Sequence, residues 1–164
     1  RDVEWPTIFF FVGLFIMVGA LVEVGVVRMV GDGIITLTCG PERGVALTEG
    51  QRFALTMGVL WFSAIASGIV DNIPFVATMI PLIKNMAPTF GGPEAIQPLW
   101  WALSLGACLG GNGTLIGASA NLTVAGLAER NGVSFSFAKY TLYAFPMMLV
   151  SVAISHLYIW WRYF

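Results

Sequence analysis

Long stretches without a single charged residue alternate along this chain with short stretches that hold nearly all of its charges. No Asp, Glu, Lys or Arg occurs from Trp5 to Val22, Phe53 to Val70, Asn72 to Ile83, Ala95 to Ala128, or Tyr140 to Trp161. A helix that spans a bilayer needs about 20 mostly apolar residues. Residues 5–27, with Glu23 near one end, predict one crossing, and residues 139–162 predict another. The second is flanked by Lys139 and Arg162, with Tyr and Trp at its ends, as interfacial anchors should be. Residues 28–52 carry Arg28, Asp32, Glu42, Arg43, Glu49 and Arg52 and predict a polar or interfacial loop. Residues 129–138 predict a second loop.

The middle of the chain is less regular. Phe53–Val70 is about long enough to cross, but it runs into Asp71-Asn72-Ile73-Pro74. The apolar stretch that follows, Phe75–Met86, is too short to span. Two apolar arms joined by a polar turn predict a re-entrant helical hairpin over 53–88 with its tip at 71–74. The charge-free run 97–128 is long enough to cross, yet Gly110, Gly111, Gly113 and Gly117 interrupt it. Each glycine in a helix interior costs roughly 1 kcal/mol relative to alanine. A broken transmembrane helix, unwound at 110–121, is therefore expected.

Composition narrows the class. The chain has 164 residues, 57% of them hydrophobic and 10% charged, with a net charge of −1. A soluble domain is roughly 25% charged. Too few charges remain to cover a water-facing surface, which argues against a soluble enzyme and a disordered chain. Eight scattered cations build no basic face, so no nucleic-acid partner is expected. Cys39 and Cys108 make no disulfide framework, and no zinc-type cluster is present. The first apolar segment lacks the basic start and cleavage site of a signal peptide. The chain opens on Arg1 rather than Met and is expected to be a piece of a longer protein. The expected class is an all-α integral membrane protein.

Broken backbone inside a bilayer is tolerated only where protein buries it or water reaches it. Short, Gly/Pro-interrupted hydrophobic segments therefore point to a transport site near the membrane midplane. Half-helix N-termini offer N–H groups and a positive dipole end to anions. Freed carbonyls can hold Na⁺. Two polar tips supply the candidates. One holds Asp71, Asn72 and Pro74 and continues to Thr78. The other holds Gly111, Asn112, Gly113 and Thr114, with Ser119 and Asn121. Pro74 suits the first turn of the returning half-helix, with Asn72 at or near its N-cap. Asp71 is the one acid deep in an apolar region, and such a residue is a functional hypothesis by default. It would ligate Na⁺ or carry a proton; the bland alternative is a headgroup-wetted loop charge. For Asn112, Thr114, Ser119 and Asn121 the alternative is interhelical hydrogen bonding. Gly106-x-x-x-Gly110 and Gly113-x-x-x-Gly117 read first as close helix packing. Glu23 reads as an interfacial acid, and His156 as bundle packing with one hydrogen bond.

The strings SGIVDNIPFVATMIPLIK (Ser67–Lys84) and LGACLGGNGTLIGASANLTVAGLAERNG (Leu105–Gly132) resemble the C-terminal repeat of the ion transporter superfamily. The nearest branch is that of arsenical-pump permeases, NhaD-type sodium/proton antiporters, citrate-transporter-like proteins and the melanosomal P protein. Ser134-Phe135-Ser136-Phe137, Lys139-Tyr140 and Pro146 resemble the same branch, whereas Ala144 stands where a Gly is common. The resemblance implies one inverted-repeat half of an elevator-type transporter. Asp71-Asn72 matches its hairpin tip, and Asn112–Asn121 matches its broken helix. In the related dicarboxylate carriers these tips hold Na⁺ and substrate, which makes Asp71, Asn72 and Asn112 the candidates for Na⁺. The coupling ion would be Na⁺ or H⁺, and no other cofactor is expected. The cargo would be a small inorganic or organic anion. The partners would be the bilayer, the N-terminal repeat of the same transporter and, in one arrangement, a second copy. The expected place is a multi-pass one in a bacterial or archaeal inner membrane.

Other functions fit less well. An intramembrane aspartyl protease needs two opposed acids, and Asp32 sits in the charged loop within a Gly31-Asp32-Gly33 turn. Gly111-x-Gly113 lacks the third Gly of a dinucleotide fingerprint, since position 116 is Ile, and no G-x-x-x-x-G-K-[ST] occurs. A non-transporting membrane scaffold remains. On the transporter scaffold a carboxylate or oxyanion carrier and a Na⁺/H⁺ antiporter both stay open, and no thiol signature favours arsenite.

Overall fold

A computed structural model of the chain describes residues 5–26, 29, 32–33, 36, 47–133 and 136–164. Arg1, Arg28, Glu42, Arg43, Ser134 and Phe135 lie outside the described residues. Among those described, every regular element is helical: α1 (Trp5–Glu23), α2 (Glu49–Ser67), α3 (Asn72–Phe90), α4 (Gln97–Gly110), a 3₁₀ turn (Gly111–Gly113), α5 (Ser119–Arg130) and α6 (Phe137–Tyr163).

The helix ends follow local chemistry. α2 begins at Glu49 because Thr48 and Gln51 form a capping box. The Gln51 N–H donates to the Thr48 hydroxyl, and the Thr48 N–H donates to the Gln51 side-chain oxygen. It therefore starts four residues before the hairpin arm expected at Phe53. α3 runs 19 residues, through Pro81 and Pro88, and ends where Gly91 adopts φ 101°. That left-handed conformation favours glycine and closes the helix. At about 1.5 Å per residue α3 is near 28 Å long, longer than the apolar count from Phe75 to Met86 suggests. The unwound segment covers 111–118, with Thr114 and Ala118 extended.

α2 is the central helix, and α4 is its main partner. A Cβ at Gly106 would lie 2.5 Å from the Leu60 carbonyl oxygen and 2.9 Å from the Ser63 Cβ. A Cβ at Gly110 would overlap the Ala64 backbone. The Ser67 hydroxyl donates to the Ala107 carbonyl at 2.7 Å. The glycines of the expected packing motif thus let two backbones touch. α3 folds back along α2: the Phe62 and Phe75 rings lie 6.1 Å apart. The two helices splay around an apolar cleft of about 220 Å³ between Leu55, Val59 and Phe62 on one side and Met79, Ile83 and Met86 on the other. Arg52 clips the open end, donating from Nη2 to the Ala95 carbonyl at 3.3 Å and lying 5.8 Å over the Phe90 ring.

α6 is long and apolar enough to cross a membrane. It buries a stripe of Met148, Val152, Ser155 and Ile159, spaced as one helix face. Its other faces carry exposed Leu142, Met147, Val150, Ile154 and Trp161. On its inner face His156 accepts from the Trp61 indole N–H at Nδ1 (3.2 Å) and meets the Phe53 ring edge-on at 5.8 Å. One hydrogen bond and two ring contacts, with Phe53 and Trp61, seat His156 in the packing between α2 and α6. Replacing it with Leu leaves a half-buried indole donor unmatched, so His156→Leu is expected to cost about 1–2 kcal/mol. A lowered thermal midpoint for His156→Leu, with Trp61→Phe/His156→Leu partly restored, checks this.

Candidate functional site

The two polar tips meet, and Asp71 joins them. α2 ends at Ser67, and Gly68-Ile69-Val70 turn the chain into Asp71. Asp71, rather than Asn72, is the N-cap of α3: its Oδ1 accepts from the Ile73 N–H at 3.1 Å. The reason is position. An N-cap side chain reaches the amide two or three residues ahead, and α3 already includes Asn72. Pro74 falls in the first turn, where its missing N–H has no helical partner to lose.

The second carboxylate oxygen crosses to the broken helix. Asp71 Oδ2 accepts from the Ser119 N–H at 3.0 Å and from the Ser119 hydroxyl. One carboxylate thus caps two helices, α3 and α5. Both N-termini present orphan N–H groups and positive dipole ends, so a single acid satisfies donors from both. Ala118, at the N-cap position of α5, has no side-chain acceptor of its own. Asp71 supplies it from 48 residues away.

Four further bonds build the loop between the half-helices. The Thr114 hydroxyl donates to the Gly68 carbonyl, tying the loop to the hairpin turn. The Gly117 N–H donates back to the Thr114 hydroxyl at 3.0 Å. The Asn121 amide donates both hydrogens inward, to Gly111 O at 2.9 Å and Thr114 O at 3.0 Å. Unwound carbonyls need such donors where no helix provides them. Gly111 and Gly117 are buried against each other: a Cβ at Gly117 would lie 2.6 Å from Gly111 O and 2.9 Å from Ser67 O. Gly113 packs under Met148, 3.0 Å from the position of a Cβ.

The sequence candidates are therefore placed as follows. Asp71 bonds to Ser119, while Asn121 bonds to Gly111 and Thr114, and Thr114 ties that second group to the turn at Gly68; Gly113 packs instead against Met148 and Phe145. Asn72 faces an apolar groove of about 340 Å³ shared with Phe15, Val76, Ala77 and Cys108. Asn112 is exposed, and its carbonyl accepts from the Tyr140 hydroxyl at 3.4 Å. Thr78 lies seven residues along α3 from the tip, and its hydroxyl donates to Phe75 O in its own helix at 2.7 Å. Gly68 and Tyr140 also take part, through their bonds to Thr114 and Asn112. Nothing in the spacing marks Gly68, whose role is a bare carbonyl. Tyr140 stands in a string that carries the family resemblance, beside Lys139.

Exchanging the Asn121 amide for a carboxylate sets an oxygen against two carbonyls and removes both donors. Asn121→Asp is expected to lower stability by about 2–4 kcal/mol. Thermal unfolding in detergent, compared with Asn121→Gln, reads this directly.

The signature of a family described as citrate transporter matches residues 1–106. The chain belongs to that family. It is 45% identical over 163 residues to an uncharacterized transporter of Mycobacterium tuberculosis, covering 99% of this chain and 36% of that protein. It is 44% identical over 160 residues to the P protein of Homo sapiens, covering 96% of this chain and 18% of that protein. It is 42% identical over 162 residues to a 46 kDa membrane protein of Mycobacterium leprae, covering 99% of this chain and 35% of that protein. The chain thus spans about a third of its mycobacterial relatives and less of the P protein. No solved structure gives a significant match. These kinships agree with the ion transporter superfamily that the two tip strings resemble, and with a transporter rather than an enzyme. They make the protein an integral membrane one.

Proposed function

We propose that this chain is one inverted-repeat half of an elevator-type secondary active transporter, driven by Na⁺ or H⁺, that carries a small carboxylate or oxyanion across the membrane. The observation that carries this reading is the meeting of a hairpin turn and an unwound helix at one acid, Asp71. Unwound carbonyls and helix N-termini in one place offer contacts to a cation and an anion alike. The citrate transporter description of the matched family points to a carboxylate as the first cargo to try. The site would be completed by a second repeat, since the chain spans only 36% of a mycobacterial relative. α2–turn–α3 would be the re-entrant hairpin, and the pair would sit in a multi-pass protein of a bacterial or archaeal inner membrane.

A second reading, Na⁺/H⁺ antiport on the same fold, is favoured by one fact. Asp71 is the sole charged side chain on the stretches that form the two tips. Transport by the full-length protein in proteoliposomes separates the two. Uptake of citrate, or of a labelled oxyanion, under an imposed Na⁺ or pH gradient supports the anion carrier. Dissipation of the gradients with no anion uptake supports the antiporter. A protein that does neither overturns both readings.

A further inference from the structure

The bonds from Ser119 to Asp71 have a role that follows from how α5 is held. No residue of α5 is buried. A cleft of about 120 Å³, lined by Leu115, Asn121, Val124, Ala125 and Tyr140, lies between α5 and α6. The Asn121 bonds run to Gly111 and Thr114, within the same broken helix. Thr123 and Asn131 bond only within α5 or at its end. Among the described residues, the hydrogen bonds that join α5 to the hairpin turn are those from the Ser119 N–H and hydroxyl to Asp71 Oδ2. α5 is thus held at its first turn, by Asn121 to the unwound loop and by Ser119 to the hairpin.

We propose that Asp71 and Ser119 form a cation-operated latch between the hairpin turn and α5, with Ser119 as the positioning residue. This rests on the ion-coupled reading above and names the part that moves. Asp71 Oδ2 is the acceptor for both Ser119 donors. A Na⁺ ion or a proton that takes up this oxygen's lone pairs competes with those donors for the same atom. Cation arrival weakens the hold on α5, and cation departure restores it. Oδ1 keeps its bond to the Ile73 N–H throughout, so α3 stays capped while α5 is released. The latch therefore turns a charge change into a displacement of one half-helix.

Cys108 on α4 and the Tyr140 phenol on α6, which donates to Asn112 O, are titratable groups on the other elements. Glu49 and Arg52 stand at the opposite end of α2, Lys84 lies 13 residues along α3, and Glu129 and Arg130 lie at the far end of α5. Lys139 is exposed at the start of α6, Glu23 ends α1, and His156 on α6 bonds Trp61.

The test uses the full-length transporter, cysteine-free apart from a nitroxide pair at Ile65 on α2 and Val124 on α5, both exposed. Pulsed electron paramagnetic resonance reads the distance between them. Saturating Na⁺, or a lowered pH, is expected to shift the distance, and Asp71→Asn is expected to abolish the response. Ser119→Ala removes one competing donor, so the half-maximal cation concentration should fall about tenfold. Ser119→Thr keeps the hydroxyl and should restore the original value. A rise with Ser119→Ala would make Ser119 a cation ligand and overturn the latch. So would a distance that ignores both cations while gradient-driven flux persists. A distance shift without flux under any gradient keeps the latch and overturns the transport reading instead.

Discussion

Asp71→Asn is expected to cut gradient-driven flux through the full-length transporter by about 10- to 100-fold while leaving its expression intact. The carboxylate accepts from Ile73 on one oxygen and from Ser119 on the other. An amide has only one acceptor atom. Whichever way it is turned, its NH₂ faces either the Ile73 or the Ser119 N–H. One of the two contacts is lost, and the survivor loses its charge assistance. Hydrogen bonds to charged groups are worth about 1.5–3 kcal/mol, and each 1.36 kcal/mol is about tenfold in a rate. The loss of the charge also removes the group that a coupling cation would meet. Flux measured with Na⁺ and pH gradients imposed separately checks both parts. The gradient whose effect disappears in Asp71→Asn identifies the coupling ion, and unchanged flux under both removes Asp71 from the site.

Gly110→Ala is expected to destabilise the protein by about 3 kcal/mol, the upper end of what overpacking a filled core costs. The new methyl group would land on the Ala64 backbone, where no rotamer change can make room. Gly126→Ala is the matched control. It lies in the middle of α5, and a Cβ there meets nothing within 4 Å. Its expected effect has the opposite sign, a gain of up to about 1 kcal/mol from helix propensity. Thermal unfolding of both variants in the same detergent compares them. A Gly110→Ala protein as stable as its parent shows that α2 and α4 are not in backbone contact at this point.

The legible features of this chain are those with short-range causes. Charge-free runs announce helices because a charge in hydrocarbon is costly, and 137–163 follows from Lys139 and Arg162 standing at its ends. The unwinding at 111–118 is readable from Gly111, Gly113 and Gly117, since each weakens a helix without any partner. Asp-Asn-Ile-Pro suggests a tip at 71–74, whereas the turn lies at 68–71 and Asn72, Ile73 and Pro74 already form the first turn of α3. Features set by distant contacts are not legible. Nothing local tells that Asp71 rather than Asn72 caps α3, because one residue of helix phase decides it. Nothing local pairs Asp71 with Ser119, or Thr114 with Gly68. The sequence spacing leaves Asn121 open to either a site or a bracing role, and only the positions of the Gly111 and Thr114 carbonyls show where its amide hydrogens go. α3 runs past its apolar stretch because Pro81 and Pro88 are accommodated within it, and no composition count foresees that.

The glycine seam between α2 and α4 has one more implication, for slippage. Sliding one helix past another by a full turn moves it about 5.4 Å. On α4 such a step in one direction would bring Ala102 to the place of Gly106. Its Cβ would land where the Leu60 carbonyl already lies. That neighbouring register is therefore closed. α2 and α4 form a closely fitted pair, and a motion that keeps this seam carries the two helices as one strut.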